Sequence, residues 1–334
     1  MILAAGLALV TTGLLLPPVI QLLRRRGLLD RPGPRSSHLR PTPRGGGIAV
    51  AIGCLVGFAI TPALASANRL WIASAGVLFG SVGLLDDVGV RISARRRLAV
   101  QCLLATLTVG VFFRPSLSSD VVKIGSFALV GLWLVAYVNA FNFMDGINGL
   151  SAGQTIVAGV WWAIIGHAEH VTSLEAAGLI IAAAAIAFLP FNAPTAIVFL
   201  GDVGSYFLGA VIAICAVFGL RAGLSIEVVL APLALYLADT GYALVRRISS
   251  GEAWHEPHRS HVYQQWTRRG HSHAAVAASA SGVMCMACII SAVSLIGGVL
   301  ARVLADVALG GVVSVYVASP RLRSPFVGRG GERP

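Results

Sequence analysis

The sequence predicts an all-α, polytopic integral membrane protein, a helical bundle of about eleven transmembrane helices. Of its 334 residues, 56% are hydrophobic and only 12% are charged, and the mean hydropathy is +0.81. Soluble globular domains contain about 25% charged residues. The apolar runs are continuous and rich in Ala and Leu instead of alternating at period two, which excludes the strands of a membrane β-barrel.

Apolar runs recur along almost the whole chain, and each is close to the roughly 17 to 25 residues that a transmembrane helix needs. The first run has no basic start and is followed by three arginines, so we interpret it as a retained helix and not as a signal peptide. The seventh to ninth runs are the least distinct, which makes ten spans the alternative count. The predicted spans are 2–23, 46–65, 70–85, 98–113, 125–143, 153–167, 173–190, 204–220, 226–245, 275–300 and 302–318.

The distribution of Lys and Arg predicts the orientation, since short loops rich in these residues stay on the cytoplasmic side. With the N-terminus outside and eleven spans, the inner segments hold 20 basic residues and the outer loops hold five. This places the C-terminus in the cytoplasm. We expect one transmembrane domain over 1–320 and a basic cytoplasmic tail over 321–334.

The formal net charge of +11 could indicate a nucleic-acid-binding protein. However, the basic residues lie in loops beside apolar runs, where anionic headgroups and phosphate-bearing substrates are the expected counterions. We therefore predict no nucleic-acid partner. The five cysteines all lie in apolar runs, as expected of residues that pack in a core.

Candidate functional carboxylates lie at helix ends on the predicted cytoplasmic side. Asp86 and Asp87 are adjacent at the end of the third span, and neighbouring carboxylates in a partly dehydrated setting repel unless a cation lies between them. Asp202 lies between glycines in GDVGS, directly before a span, where its carboxylate could hold Mg²⁺ and the helix N-terminus an anion. A solvated helix end for the pair, and a simple helix cap for Asp202, are the alternatives.

Asn139, Asn142, Asp145 and Asn148 recur every three residues at the end of the fifth span, so neighbours in the series share a helix face. We expect the glycines of DGING to end the helix and to turn Asn148 back toward the group. Polar residues at membrane depth indicate function, although a hydrogen-bonded seam between helices would give the same pattern.

Two basic motifs complete the set. His255, His258 and His261 fall at steps of three around Arg259, and the arginine together with an intervening proline argues for anion binding instead of zinc. A solvated basic loop is the alternative. RSSHLRPTPRGGG at 35–47 adds further basic residues before three glycines, and these either line the site or contact headgroups: Arg35, His38, Arg40 and Arg44.

Together, the motifs resemble the polyprenyl-phosphate N-acetylhexosamine-1-phosphate transferases of bacterial glycosyltransferase family 4. The resemblance covers about residues 24 to 265. The histidine loop is more similar to the branch that starts O-antigen and related surface glycans than to the branch that makes the first peptidoglycan lipid. The motifs are RSSHLRPTPRGGG, LLDDVG, NAFNFMDGINGL, FNAPTAIVFLGDVGS and PHRSHVYQ.

The resemblance implies Mg²⁺-dependent transfer of sugar 1-phosphate from a UDP-N-acetylhexosamine to undecaprenyl phosphate, with Mn²⁺ as a substitute ion. It implies a site at the cytoplasmic face of the bacterial inner membrane and a product that starts a lipid-linked surface glycan, as in lipopolysaccharide biosynthesis. Membrane lipids are the expected surroundings, and a homodimer through apolar helices is compatible with the sequence.

Position by position, the resemblance implies that Asp202 is the principal metal ligand, with Asp87, and that Asp86 and Asp87 handle the lipid phosphate. The residues implied in catalysis are Asp86, Asp87, Asp145, His258, Arg259 and His261. The residues implied in substrate binding are Asn139, Asn142, Asn148, Asn192, Arg44 and His38.

Asn148 departs from the family pattern, which commonly has a second aspartate there, so that this chain has DGINGL in place of DGIDGL. An amide brings no charge to Mg²⁺ and cannot act as a base. A catalytically inactive family member is therefore one alternative. An ion-coupled secondary transporter is another, although its acidic residues would lie near the bilayer midplane and in two related halves.

Overall fold

The fold is all-α, as predicted, in a computed structural model that describes residues 1–32, 40–90, 92–113, 120–252 and 260–322. A two-stranded antiparallel hairpin and a short 3-10 turn, Ala231–Leu233, are the other regular elements of these ranges. The strands are β1 (Leu29–Asp30) and β2 (Thr42–Pro43). The helices are α1 (Ile2–Arg25), α2 (Gly47–Ile60), α3 (Ser66–Asp87), α4 (Ala94–Phe112), α5 (Asp120–Met144), α6 (Leu150–Ala168), α7 (Thr172–Asn192), α8 (Gly201–Arg221), α9 (Ile226–Leu230), α10 (Ala234–Ser249), α11 (Val262–Arg268), α12 (His273–Ile296) and α13 (Val299–Leu322).

Each predicted span corresponds to one helix, apart from 226–245, which is formed by α9, the 3-10 turn and α10 together. The predicted bounds differ most at 46–65, since α2 ends at Ile60, and at 275–300, since α12 ends at Ile296 and α13 begins at Val299. Eight helical segments of the described chain are long and apolar enough to cross a bilayer, so the protein is a multi-pass membrane protein. α4 and α6 fall outside that set, and α2 has only 14 residues. The count of eleven crossings stays a prediction, as does the direction of the bundle.

Helix α8 forms the centre of the bundle. It packs on α3, α5 and α2, and its side chains are almost all buried, including Tyr206 and Phe207. Glycines allow the neighbours to approach closely: a Cβ on Gly47 of α2 would lie 2.2 Å from the Cα of Gly204 in α8. A central helix that is apolar on all sides is expected where neighbours surround it.

Helix α13 lies at the edge of the bundle, where it packs mainly on α12, with smaller contacts to α10 and α11. Few of its residues are buried, and large apolar side chains such as Leu300, Val307 and Val315 are exposed. Exposed apolar side chains on a transmembrane helix face lipid, because the hydrocarbon tails of lipids are as apolar as these side chains.

The β1–β2 hairpin places the chain that enters α2 against the residues that precede α8. Phe199 donates its N–H to Pro43 O at 2.8 Å, and Gly46 donates to Phe199 O at 2.9 Å. Gly45 has φ +119°, a conformation that favours glycine. The start of α2 and the start of α8 therefore lie side by side, which brings Arg44 to the N-terminus of α8.

Candidate active site

The N-terminus of α8 is capped by a carboxylate from another helix. Asp87, the last residue of α3, accepts hydrogen bonds from the N–H groups of Asp202 (3.0 Å) and Val203 (2.9 Å). These N–H groups have no partner within their own helix, and a negative charge there is also favoured by the helix dipole. This contact joins the LLDDVG and GDVGS motifs, which are 115 residues apart in the chain.

Arg44 bridges two carboxylates. Its Nε lies 2.8 Å from Asp87 Oδ1, and its Nη2 lies 2.7 Å from Asp202 Oδ1. Burial alone would lower the pKa of Arg44, but the two carboxylates outweigh it and raise the pKa above its usual value, so the guanidinium stays charged. The side chain is 38% exposed, so part of it is accessible from solvent.

Glycines let the two acidic motifs touch. A Cβ on Gly83 of α3 would lie 2.1 Å from the backbone oxygen of Asp202, and a Cβ on Gly201 would lie 2.6 Å from Asp87 Oδ2. Gly201 also has φ +77°. Any larger residue at either position would push α3 away from α8, so the glycines of these motifs have a packing role in addition to any contact with ligand.

Asp86 lies near Asp202, close enough for the two carboxyl groups to interact electrostatically. Asp86 is also paired with Arg97 of α4. Two neighbouring carboxylates repel each other when both are ionised, and a proton or a cation between them relieves the repulsion. The sequence predicts a cation between Asp86 and Asp87. The structure makes Asp86 and Asp202 the more suitable pair for such a cation.

The asparagines of α5 separate into two groups. Asn142 donates to Asp202 Oδ1 and to Ser205 Oγ, both at 2.9 Å. It therefore belongs to the acidic cluster, the name used below for Asp86, Asp87 and Asp202. Asn139 instead donates to Gln101 Oε1 of α4 at 2.7 Å and to Val135 O at 2.8 Å. Its expected place in the substrate site stays a prediction, and its described contacts hold α4 against α5.

Asp145 lies in the turn after α5, which ends at Met144, as the glycines of the motif predicted. Burial raises the pKa of its carboxyl from 3.8 to about 7. The negative charges of Asp202 and Asp87 contribute to this rise in pKa, and the positive charge of Arg44 opposes it. Asp145 is therefore within electrostatic range of the cluster, so the convergence expected of the acidic residues is present in the fold.

Asn148 and Asn192 stabilise the turn between α5 and α6. Gly149, which has φ +82°, donates its N–H to Asn192 Oδ1 at 2.7 Å, and Asn192 donates to Val198 O at 3.1 Å. Asn148 donates its side-chain amide to Pro194 O at 3.1 Å. Asn148 therefore contacts the loop between α7 and α8, and its expected place beside Asn142 stays a prediction.

His261 is buried, with its Nδ1 3.0 Å from Asp239 Oδ1 of α10. Asp239 also accepts the N–H of Val262 and the hydroxyl of Tyr316 (3.1 Å). The described contacts of His261 thus anchor the start of α11, and its predicted role in anion binding stays a prediction. Next to it, Tyr263 donates to Phe143 O at 2.9 Å, which brings α11 against the Asp145 turn.

Comparison with known proteins gives the family. Residues 70–220 match the family described as Glycosyl transferase family 4. The probable undecaprenyl-phosphate N-acetylglucosaminyl 1-phosphate transferase of Bacillus subtilis (strain 168) is 27% identical over 276 residues, which cover 80% of this chain and 77% of that protein. The phospho-N-acetylmuramoyl-pentapeptide-transferase of Thermobifida fusca (strain YX) is 33% identical over 259 residues, which cover 63% of this chain and 74% of that protein. The chain belongs to glycosyl transferase family 4.

Membership confirms the resemblance inferred from the motifs. The undecaprenyl-phosphate alpha-N-acetylglucosaminyl 1-phosphate transferase of Thermotoga maritima is a further family 4 relative, 28% identical over 249 residues, or 74% of this chain and 75% of that protein. The matched range 70–220 includes Asp86, Asp87, Asp145 and Asp202. It lies between the basic motif at 35–47 and the histidine motif at 255–261. The acidic cluster is therefore within the part of the chain that defines the family.

The cluster fits a magnesium ion only in part. Within the described ranges, no three His, Cys, Asp or Glu side chains converge closely enough to form a metal site by themselves. Asp86 and Asp202 offer neighbouring carboxylates, which suit a hard cation that takes its remaining ligands from water and phosphate. The oxygens of Asp87 already accept from Arg44 and from α8, so its predicted contact with metal stays a prediction.

Two contributors to the site of this family 4 protein were missed by the sequence analysis. Gln101 lies on the same face of α4 as Arg97, an arginine that the sequence already places near the Asp86–Asp87 pair, and it accepts a hydrogen bond from Asn139. A glutamine four residues after an arginine in an apolar helix was a signal that could have found it. Asp239 was also missed, although an acidic residue within an apolar span is by itself a reason for attention.

Three predicted site residues lie outside the described residues, and their roles stay predictions: His38, His258 and Arg259. Arg44 and His261, which flank these gaps in the chain, are described and lie on the side of the bundle that holds the acidic cluster. The first basic motif therefore ends near the acidic cluster, at Arg44. The histidine motif ends on the same side of the bundle, at His261.

Proposed function

We propose that this protein transfers an N-acetylhexosamine 1-phosphate from a UDP-N-acetylhexosamine to undecaprenyl phosphate and releases UMP. The names of the family relatives describe polyprenyl-phosphate acceptors and N-acetylated amino sugars, which supports the acceptor and the class of sugar. The observation that supports it most is the joining of Asp87 and Asp202 through Arg44 at one end of the bundle, with Asp86 next to them and paired with Arg97. A phosphoryl-transfer site needs this combination of carboxylates and a guanidinium.

In the reaction, an oxygen of the lipid phosphate attacks the phosphorus that bears the sugar. A new P–O bond forms to the lipid phosphate, and the P–O bond to the uridine-bearing phosphate breaks, so UMP leaves with the electron pair. A phosphate monoester has a second pKa near 6, so much of the acceptor is already ionised at neutral pH. Alignment and charge neutralisation are therefore the main requirements.

The residues of the cluster have distinct proposed roles. Arg44 binds a phosphate with its guanidinium, and Asp87 holds Arg44 and the start of α8 in position. Asn142 orients the Asp202 carboxylate through its hydrogen bond to Oδ1. Asp86 and Asp202 would hold Mg²⁺, or Mn²⁺ in its place. When bound, this ion would neutralise phosphate oxygens of the sugar nucleotide and hold its diphosphate in one orientation.

The setting follows from the distribution of charge. The end of the bundle that holds the cluster also holds most of the arginines, such as Arg24, Arg97 and Arg246, which supports a cytoplasmic site in a bacterial inner membrane. The PHRSHVYQ loop supports a product that starts a surface glycan of the O-antigen type. N-acetylglucosamine and 6-deoxy amino sugars such as N-acetylfucosamine are the candidate sugars.

The test is UMP release by the purified protein given undecaprenyl phosphate, Mg²⁺ and a panel of UDP-N-acetyl sugars. We expect release with at least one sugar, and we expect Asp202→Ala to abolish it. Val307→Ala, at an exposed position of α13, is the matched control and should release UMP at the normal rate. A well-folded wild-type sample that releases no UMP with any sugar would refute the proposal.

A further inference from the structure

A separate cavity of about 680 Å³ lies between α11, α12 and α13. Its wall runs from Ala275 to Met286 along α12 and from Ala308 to Ser319 along α13. Eleven residues of helix rise roughly 16 Å, about half of a hydrocarbon core that is roughly 30 Å thick. The cavity therefore has the depth of one leaflet, and it begins at the ends of α12 and α13 that adjoin α11.

The two ends of the cavity differ in polarity. At the α11 end, Trp266 donates its indole N–H to Ser319 Oγ at 3.0 Å, and the ring of His271 meets the indole edge-on with 4.9 Å between centroids. Arg269 lies over the same indole ring, 5.5 Å from its centroid. The deeper wall is apolar and includes Val283 and Met286.

We propose that this cavity binds one anionic phospholipid of the leaflet that faces the acidic cluster. An acyl chain lies along the apolar wall between α12 and α13, and the headgroup phosphate lies beside Arg269 and His271. A tryptophan at the level of the headgroups is usual at a membrane interface, and a basic side chain there attracts anionic lipid.

The dimensions favour a phospholipid over other occupants. A partner helix would have to continue across the whole bilayer, whereas the cavity ends about halfway. A polyprenyl chain of undecaprenyl length is much longer than the cavity, whereas the acyl chain of a phospholipid spans one leaflet by definition. The charge at the α11 end favours an anionic over a zwitterionic headgroup.

The proposed lipid would also contact the residues that anchor α11. Tyr316 lines the cavity, and its hydroxyl donates to Asp239, the residue that holds His261 and the start of α11. A lipid bound at the cavity would therefore stabilise α11, and with it the contact of Tyr263 against the Asp145 turn.

Two neighbouring glycines of α13 allow a matched test. Gly311 lines the cavity and Gly310 does not, and a Cβ at either position meets nothing within 4 Å. Gly311→Leu fills the cavity, and Gly310→Leu adds the same side chain elsewhere on the same helix. Binding of phosphatidylglycerol, phosphatidylcholine and undecaprenyl phosphate to delipidated protein is measured by native mass spectrometry, after thermal unfolding has shown that both variants are folded.

We expect the wild type and Gly310→Leu to bind one phosphatidylglycerol that Gly311→Leu does not bind. Arg269→Gln, which leaves the cavity open, should weaken this binding about fivefold, and Arg26→Gln should leave it unchanged. Equal binding of phosphatidylglycerol by Gly310→Leu and Gly311→Leu would overturn the proposal. So would equal affinity of the wild type for phosphatidylcholine, or a loss of undecaprenyl phosphate instead of phosphatidylglycerol in Gly311→Leu. Because lipid binding is measured without turnover, failure here is distinct from failure of the proposed reaction.

Discussion

Asn148 shows how one residue can depart from its family pattern and still fit its surroundings. Its side-chain amide donates to Pro194 O, a backbone oxygen of the loop between α7 and α8. A carboxylate has no hydrogen to donate, so the aspartate that the family commonly has could not make this bond unless it were protonated. The asparagine therefore contributes to the turn, and its presence is no argument that the enzyme is inactive.

This contact leads to a prediction for Asn148→Asp. We expect turnover to be retained or raised, because Asp86, Asp87, Asp145 and Asp202 are unchanged. We expect the stability to fall by about 1 kcal/mol, the usual net value of one hydrogen bond. UMP release and thermal unfolding of the same sample measure the two effects, and a large loss of turnover in a folded variant would show that the position has another role.

We predict that Asp145 makes the activity dependent on pH. Burial raises the pKa of its carboxyl to about 7, so in the free enzyme it is largely protonated below that pH and ionised above it. If the ionised form is the one that takes part in the proposed reaction, the rate rises as pH increases through about 7. Added Mg²⁺ favours the ionised form and moves the midpoint to lower pH.

The pH dependence is measured as initial rates of UMP release between pH 5 and 9 at several Mg²⁺ concentrations. Asp145→Asn cannot titrate, so its residual activity should lack this rise. A midpoint that is the same at all Mg²⁺ concentrations and is retained in Asp145→Asn would assign the titration to another group, such as the lipid phosphate.

At the scale of elements, the site depends on the close packing of α3 on α8. Gly83 is the point of closest approach, since a Cβ there would lie 2.1 Å from the backbone oxygen of Asp202. The contact oxygen belongs to the backbone and cannot move aside, so a side chain at this position must separate the two helices. Separation would withdraw Asp86 and Asp87 from Asp202 and from the first N–H groups of α8.

We therefore expect Gly83→Ala to reduce UMP release by a factor on the order of 10² to 10³, as when one preorganised charge-stabilising group is removed. Overpacking should also cost about 1–3 kcal/mol of stability. Gly131→Ala in α5 is the matched control, because a Cβ there meets nothing within 4 Å and helical glycine is replaced by a better helix former. Normal activity in Gly83→Ala would contradict the dependence on this contact.

The sequence was sufficient to predict the helices, because continuous apolar runs have one stable solution in a bilayer. It was also sufficient to predict that the motifs of Asp87 and Asp202 lie together. It could not predict that Asp87 would cap α8 and that Asp86 would lie beside Asp202. The two residues differ only by the 100° turn between adjacent positions of a helix. That choice depends on how α3 packs against α8.

The histidine motif shows a second limit. Spacing predicted that His261 would handle an anion, whereas the structure buries it against Asp239, an acidic residue 22 positions earlier that the sequence analysis passed over. A pattern of histidines identifies a loop that matters, but only the packing of α10 and α13 around Asp239 decides which histidine anchors the loop. The anion-binding role of His258, Arg259 and His261 stays a prediction.

At the scale of the whole molecule, the orientation in the membrane decides which substrates can reach the cluster. The predicted inner segments hold 20 basic residues and the outer loops hold five. This difference predicts that the acidic cluster faces the cytoplasm, where UDP-sugars are present. α8 runs from the cluster at Gly201 to Arg221, and the segment Ile226–Ser249 returns to the side of the cluster. Ala222 and Ser249 are exposed and therefore mark opposite faces of the membrane.

We predict that Ala222→Cys reacts with a membrane-impermeant maleimide added to intact spheroplasts, and that Ser249→Cys reacts only after the membrane is opened. Both substitutions are made in a chain whose five cysteines are replaced by alanine, and UMP release confirms that each variant is active. The reverse pattern would place the carboxylates on the outer face, away from the cytoplasmic pool of sugar nucleotides. The bundle would then have to act on a different donor, even though the same aspartates and Arg44 lie together.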